Sequence, residues 1–127
     1  MRFAFVVALI ALLPACAPSN PLTVSNVQLG RTINSDGSVG SFTNRFKPED
    51  TIYVSALTDG PGTSTITARW TFNGRPISEE SKEVSYREPG ATEFHIQFAG
   101  AAPVGSYKVE ILVDGAAVAT RDFFVAR

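Results

Sequence analysis

The chain has 127 residues, a formal net charge of −1 and a hydrophobic fraction of 44%. That length allows one ordinary domain, and the near-neutral charge excludes the basic surface that would draw a protein to nucleic acid or to an anionic membrane face. A single cysteine and a single histidine exclude an intrachain disulfide and fall short of a four-ligand zinc site.

The first fifteen residues read as a signal peptide. Met1-Arg2 is a short basic start, and Phe3 to Leu13 is an unbroken apolar run of eleven residues. A spanning helix needs about 20 apolar residues, so this run suits export and not a stable crossing. Leu13-Pro14-Ala15-Cys16 resembles a bacterial lipobox, with Pro14 where Ala or Ser is commoner. The resemblance implies cleavage between Ala15 and Cys16, a diacylglyceryl group on the Cys16 thiol and acylation of the new amine. Two or more acyl chains, at about 0.8 kcal/mol per buried CH₂, anchor stably where one does not. The competing readings are a later cut, after Ala17, and an intermolecular disulfide through Cys16. By the same resemblance Ala17, which is not the Asp that retains lipoproteins in the inner membrane, implies the outer membrane. The expected organisation is a signal peptide over 1–15, a lipid-anchored tether over 16–21 and one domain over 22–127.

Within that domain the signals are for strands. Leu22 to Leu29 carries Val24, Val27 and Leu29, a spacing that slips once and predicts a bulge. Gly30 to Arg45 reads as a long connection, with Ile33 and Val39 able to form a small hairpin around Ser35-Asp36-Gly37-Ser38. Thr51 to Thr58 puts Ile52, Val54 and Ala56 on one face, before the stop Asp59-Gly60-Pro61-Gly62. Ser64 to Asn73 sends Ile66, Ala68, Trp70 and Phe72 inward and ends on Asn73-Gly74, a tight-turn signal. Lys82 to Tyr86 reads as a short edge strand, because Pro76 and the charges of Glu79 to Glu83 suit an edge. Thr92 to Phe98 turns Phe94, Ile96 and Phe98 to one face. Gly105 to Gly115 alternates most cleanly, with Tyr107, Val109, Ile111 and Val113 inward and Asp114-Gly115 as a second tight turn. The last strand runs from about Ala117 to Val125, with Phe123 and Val125 inward. About seven strands and no helix after the signal predict an all-β, antiparallel β-sandwich.

Trp70, inward on the third long strand, and Gly105-Ser106-Tyr107, entering the sixth, resemble the immunoglobulin-like family. There a core Trp sits on strand C, and a tyrosine corner opens strand F. The run Phe46 to Tyr53, with Ala68-Arg69-Trp70 and Tyr107 to Gly115, is similar to small bacterial immunoglobulin-like lipoprotein domains of no established activity. The resemblance implies a disulfide-free sandwich whose Tyr107 hydroxyl returns to the backbone a few residues upstream.

No catalytic motif emerges, and neither a cofactor nor an enzymatic activity is expected. His95 alternates outward between Phe94 and Ile96 and reads as an exposed strand histidine. Asn34 to Ser38 reads as an Asp-Gly turn, lacking the further carboxylates of a calcium loop. Glu79, Glu80 and Glu83 form a solvated run. Phe124 should face outward beside Leu112 across the last hairpin, making an apolar patch for a protein partner. The expected function is a binding or structural module of the cell envelope, held by lipid on Cys16 at the periplasmic side of the outer membrane, with an envelope protein as partner. The alternative is a glycan-binding module using Tyr53, Tyr86, Phe42 or Phe46, and a hydrolase ranks third. Cys16→Ser should abolish acyl labelling and release the protein from membranes; unchanged partition in detergent-free fractions would refute the anchor.

Overall fold

The computed structural model describes residues 20–127; the signal segment and Cys16 lie outside the described residues. Among the described residues, period-two alternation is realised in nine strands: β1 (Thr23–Ile33), β2 (Val39–Phe42), β3 (Arg45–Phe46), β4 (Ile52–Asp59), β5 (Gly62–Phe72), β6 (Arg75–Tyr86), β7 (Gly90–Ile96), β8 (Gly105–Val113) and β9 (Ala116–Val125). They form two sheets, ordered β2-β1-β4-β7 and β3-β9-β8-β5-β6. Packed face to face, the sheets make the expected sandwich.

Two turns set the hairpins of the larger sheet. Asn73-Gly74 and Asp114-Gly115 both have positive φ at each central residue, the backbone whose twist matches a two-residue hairpin. The slip expected in the first strand is present, as a register shift between Val24 and Asn26 against β4. The small hairpin is present too, with Ile33 opposite Val39.

Three differences from the expected layout have local causes. The connection from Gly30 to Arg45 is largely strand, since β1 continues to Ile33 and β2 and β3 follow. The short β3 lies parallel to β9, with Arg45 opposite Phe124 and Phe46 opposite Val125, so the sandwich is not wholly antiparallel. The edge strand β6 has twelve residues and starts at Arg75. Its hairpin turn delivers Arg75 opposite Phe72, and a register shift between Trp70 and Thr71 leaves Ile77 unmatched beside Pro76. A proline is tolerated there because β6 ends the sheet. At the start of the domain the Asn20 carbonyl accepts the Thr63 N–H at 2.9 Å, and the Leu22 N–H donates to Ser64 Oγ at 2.9 Å.

The core lies between the sheets. Ile52, Val54, Ala56 and Phe94 from one sheet meet Ile66, Ala68, Trp70, Tyr107, Val109, Ile111 and Phe123 from the other, all buried. Phe72, Ile96 and Phe98 flank this cluster half-buried. Phe46 and Leu22 are also in it, although neither belongs to an alternating run. Trp70 is 1% exposed and meets the Phe123 ring edge-on at 5.9 Å. The Tyr107 hydroxyl donates to the Pro103 carbonyl at 2.6 Å, which is the tyrosine corner. Burial of that phenol raises its pKa. Trp70→Ala should cost about 3–5 kcal/mol, read as a lower urea midpoint; an almost unchanged melting temperature would refute its core role.

Candidate functional site

The patch expected from Leu112 and Phe124 does not exist. In the β8–β9 hairpin Leu112 lies opposite Ala117 beside the turn, while Phe124 lies opposite Ser106 at the far end. Leu112 is also only 6% exposed, in a row between Thr67 and Ala117 on the outward side. Phe124 is outward as expected, 40% exposed, with the Arg45 guanidinium 6.0 Å from its ring centre.

His95 is outward and half exposed. Its Nδ1 lies 2.8 Å from Glu93 Oε1, and its ring tilts against Tyr53 at 5.5 Å. No group of three metal-ligating side chains occurs among the described residues. Asp36 takes the Ser38 N–H at 2.9 Å and the Ser38 hydroxyl at 2.5 Å. These bonds hold the Asp36 carboxyl below its ordinary pKa. The turn folds back over the smaller sheet, where Ser55 Oγ donates to the Gly37 carbonyl at 2.7 Å. The acidic run is divided by alternation: Glu79 pairs with Arg69 at 2.8 Å, and Glu80 points to the opposite face of β6.

Of the aromatic residues considered for stacking, Phe46 is buried in the core. Tyr86 is tied through its hydroxyl to the Ala91 carbonyl at 3.1 Å and to Thr92 Oγ1 at 2.8 Å. Phe42 is different, being 67% exposed. The preceding Ser41 has φ of 46°, a left-handed conformation that costs a non-glycine residue about 1–3 kcal/mol. Opposite Phe42 stands Gly30, where a Cβ would fall 2.4 Å from the Gly40 carbonyl oxygen and 2.7 Å from that of Ser41. The bare Gly30 and the kinked Ser41 together let β2 curl and hold Phe42 out.

Phe42 forms the lip of a groove of about 470 Å³ between β1 and β9, lined also by Asn26, Gln28, Asn44, Arg121 and Asp122. Arg121 crosses from the larger sheet to the smaller. It donates from Nε to the Val27 carbonyl at 3.2 Å, from Nη1 to the Thr120 carbonyl at 2.9 Å and from Nη2 to Asn26 Oδ1 at 3.4 Å.

The opposite side of the sandwich is closed by side chains of β6. Lys82 shares the inward row of Ile66, sits 5.0 Å from the Phe94 ring centre and donates to the Glu93 carbonyl. With Tyr86 on Ala91, alternate carbonyls along the free edge of β7 are thus satisfied without a further strand. Beyond Lys82 the two strands part, and Ile77, Ser78, His95 and Phe98 line an open groove of about 480 Å³. Lys82→Ala should lower stability by about 1–2 kcal/mol, through the lost charged hydrogen bond and cation–π contact; an unchanged urea midpoint would remove Lys82 from this role.

No protein-family model matches the sequence, and no curated protein matches it. Among solved structures, an immunoglobulin-like protein from Pseudomonas aeruginosa superposes with a TM-score of 0.58 at 10% identity, over 87% of this chain and 99% of that one. An alkylpurine DNA glycosylase of Pseudomonas fluorescens aligns at a TM-score of 0.49 and 9% identity, over 80% of this chain and 30% of its own. A beta-D-glucoside glucohydrolase from Trichoderma reesei aligns at 0.49 and 14%, over 85% of this chain and 19% of its own. Strand order, the core Trp70, the Tyr107 corner and the first of these likenesses establish an immunoglobulin-like β-sandwich.

Proposed function

We propose that the chain is a non-catalytic binding module of the bacterial cell envelope, held by lipid on Cys16 at the periplasmic side of the outer membrane, and that it recruits an envelope protein along β6. The observation that carries this reading is the free edge of β6. This strand has twelve residues and ends its sheet, and Arg75 to Ser81 are exposed on both faces. That half of the strand adds almost nothing to the core, yet it presents an unpaired backbone ladder of the kind that an extended peptide joins by strand addition. Glu79, Glu80, Glu83 and Pro76 discourage indiscriminate pairing. The same charges select a partner segment that carries Lys or Arg.

The test is a photocrosslinking residue placed at Ser81 in the full-length lipoprotein in cells, followed by mass spectrometry. A discrete envelope protein with a basic extended segment should be captured. Glu80→Lys combined with Glu83→Lys should cut the capture about tenfold or more through like-charge juxtaposition, without lowering the melting temperature. Capture that survives the charge reversal overturns the reading.

A further inference from the structure

The groove beside Phe42 lies at the other edge of the sandwich from β6 and has features that the protein-recruiting edge does not need. We propose that it is a saccharide-binding site, taking a short neutral oligosaccharide with one sugar ring stacked on Phe42.

The argument rests on what converges there. Sugars combine C–H faces that pack on aromatic rings with hydroxyls that both donate and accept hydrogen bonds. A site for them therefore needs an exposed aromatic platform with planar donors and acceptors around it. Phe42 is the most exposed large apolar side chain among the described residues, and it borders a shallow, open groove. Asn26 and Gln28 use their amide oxygens within the protein: Asn26 accepts from the Val27 N–H at 2.9 Å and Gln28 from the Val39 N–H at 3.5 Å. Their NH₂ groups make no hydrogen bond among the described residues and remain available as donors. The Asn44 carbonyl accepts the Phe124 N–H at 2.9 Å, which fixes this lining residue beside β9. Asp122, outward on β9 opposite Lys108, borders the groove at its rim and makes no ion pair among the described residues.

Charge decides the class of ligand. Arg121 is the one cation in the lining, and three of its N–H groups are already spent on Val27, Thr120 and Asn26. Asp122 is the other charged residue of the lining, which brings its formal charge to zero. The groove is therefore close to neutral, with no free guanidinium fork for a phosphate or carboxylate. Its volume of about 470 Å³ falls within the range of about 300–1,000 Å³ usual for small-ligand sites. The cost of holding Ser41 left-handed fits a device that keeps Phe42 in place before the ligand arrives.

The experiment uses the full-length chain in a detergent without a sugar headgroup, titrated with β-linked tetrasaccharides of N-acetylglucosamine and of glucose and followed by NMR. At least one tetrasaccharide should receive saturation from the protein and shift the Phe42 ring resonances. Phe42→Ala should abolish that signal, and Asp122→Asn should weaken binding about tenfold through loss of a charge-assisted hydrogen bond. Both substituted residues are exposed, so the melting temperature should stay unchanged. Absence of binding by both tetrasaccharides overturns the proposal. So does binding that survives Phe42→Ala, or binding of a peptide in place of a sugar at Phe42. The recruitment reading is separable, because Phe42→Ala leaves the crosslink from Ser81 in place whether or not sugars bind.

Discussion

The sandwich depends on one choice, which of two adjacent phenylalanines enters the core. The Phe123 ring is met edge-on by Trp70 at 5.9 Å and by Phe46 at 5.5 Å, and it stacks on Tyr107 at 5.1 Å. Two long strands and the β3 segment therefore converge on one side chain of β9. The choice is made by a bulge. The Asp114-Gly115 turn sets Val113 opposite Ala116, and continuing that register would bring Asp122 opposite Tyr107. The shift between Ile111 and Leu112 leaves Val118 unmatched and brings Phe123 there instead. A one-residue slip inverts every later side chain of a strand, so this extra residue turns Phe123 and Val125 inward, Asp122 and Phe124 outward.

The same slip explains Arg121. It falls on the inward row of β9, opposite Val109, at the open flank of the sandwich, and so it reaches across to the Val27 carbonyl of the other sheet. Lys82 does the equivalent on the other flank, reaching from β6 to the Glu93 carbonyl. An inward-pointing charge on an edge row would be costly in a sealed core. At a flank it can bond the neighbouring sheet's backbone and stay partly in water. The two sheets are thus strapped on both sides by long cationic side chains, and each strap leaves a groove beside it. Those grooves and the overhang of β6 are the surfaces on which the two proposed contacts fall.

Much of this architecture was legible. The inward rows of β4, β5 and β8 follow from alternation alone, since each is a run of apolar residues at spacing two. Trp70 and Tyr107 marked the strands they occupy. The parts that were not legible lack that periodicity. β3 is two residues long and gains its place from backbone bonds to Asn44 and Phe46, so Phe46 read as a loop residue. The exposed half of β6 has no apolar face to betray it, and it is strand because the Asn73-Gly74 turn hands it a register against β5.

The amino-acid sequence by itself determined the class of fold, the tight turns, the inward rows of β4, β5 and β8 and the outward placement of His95. Each of these depends only on neighbours within a few residues. Tertiary structure alone decided which outward residues meet. Leu112 and Phe124 share a hairpin but sit at its opposite ends, whereas Phe42, Asn26 and Asp122 come from distant parts of the chain and line one groove. The physical reason is that proximity across a sandwich is set by register, bulges and strand order, which sum over the whole chain, while the facing of a side chain is set by the local pleat.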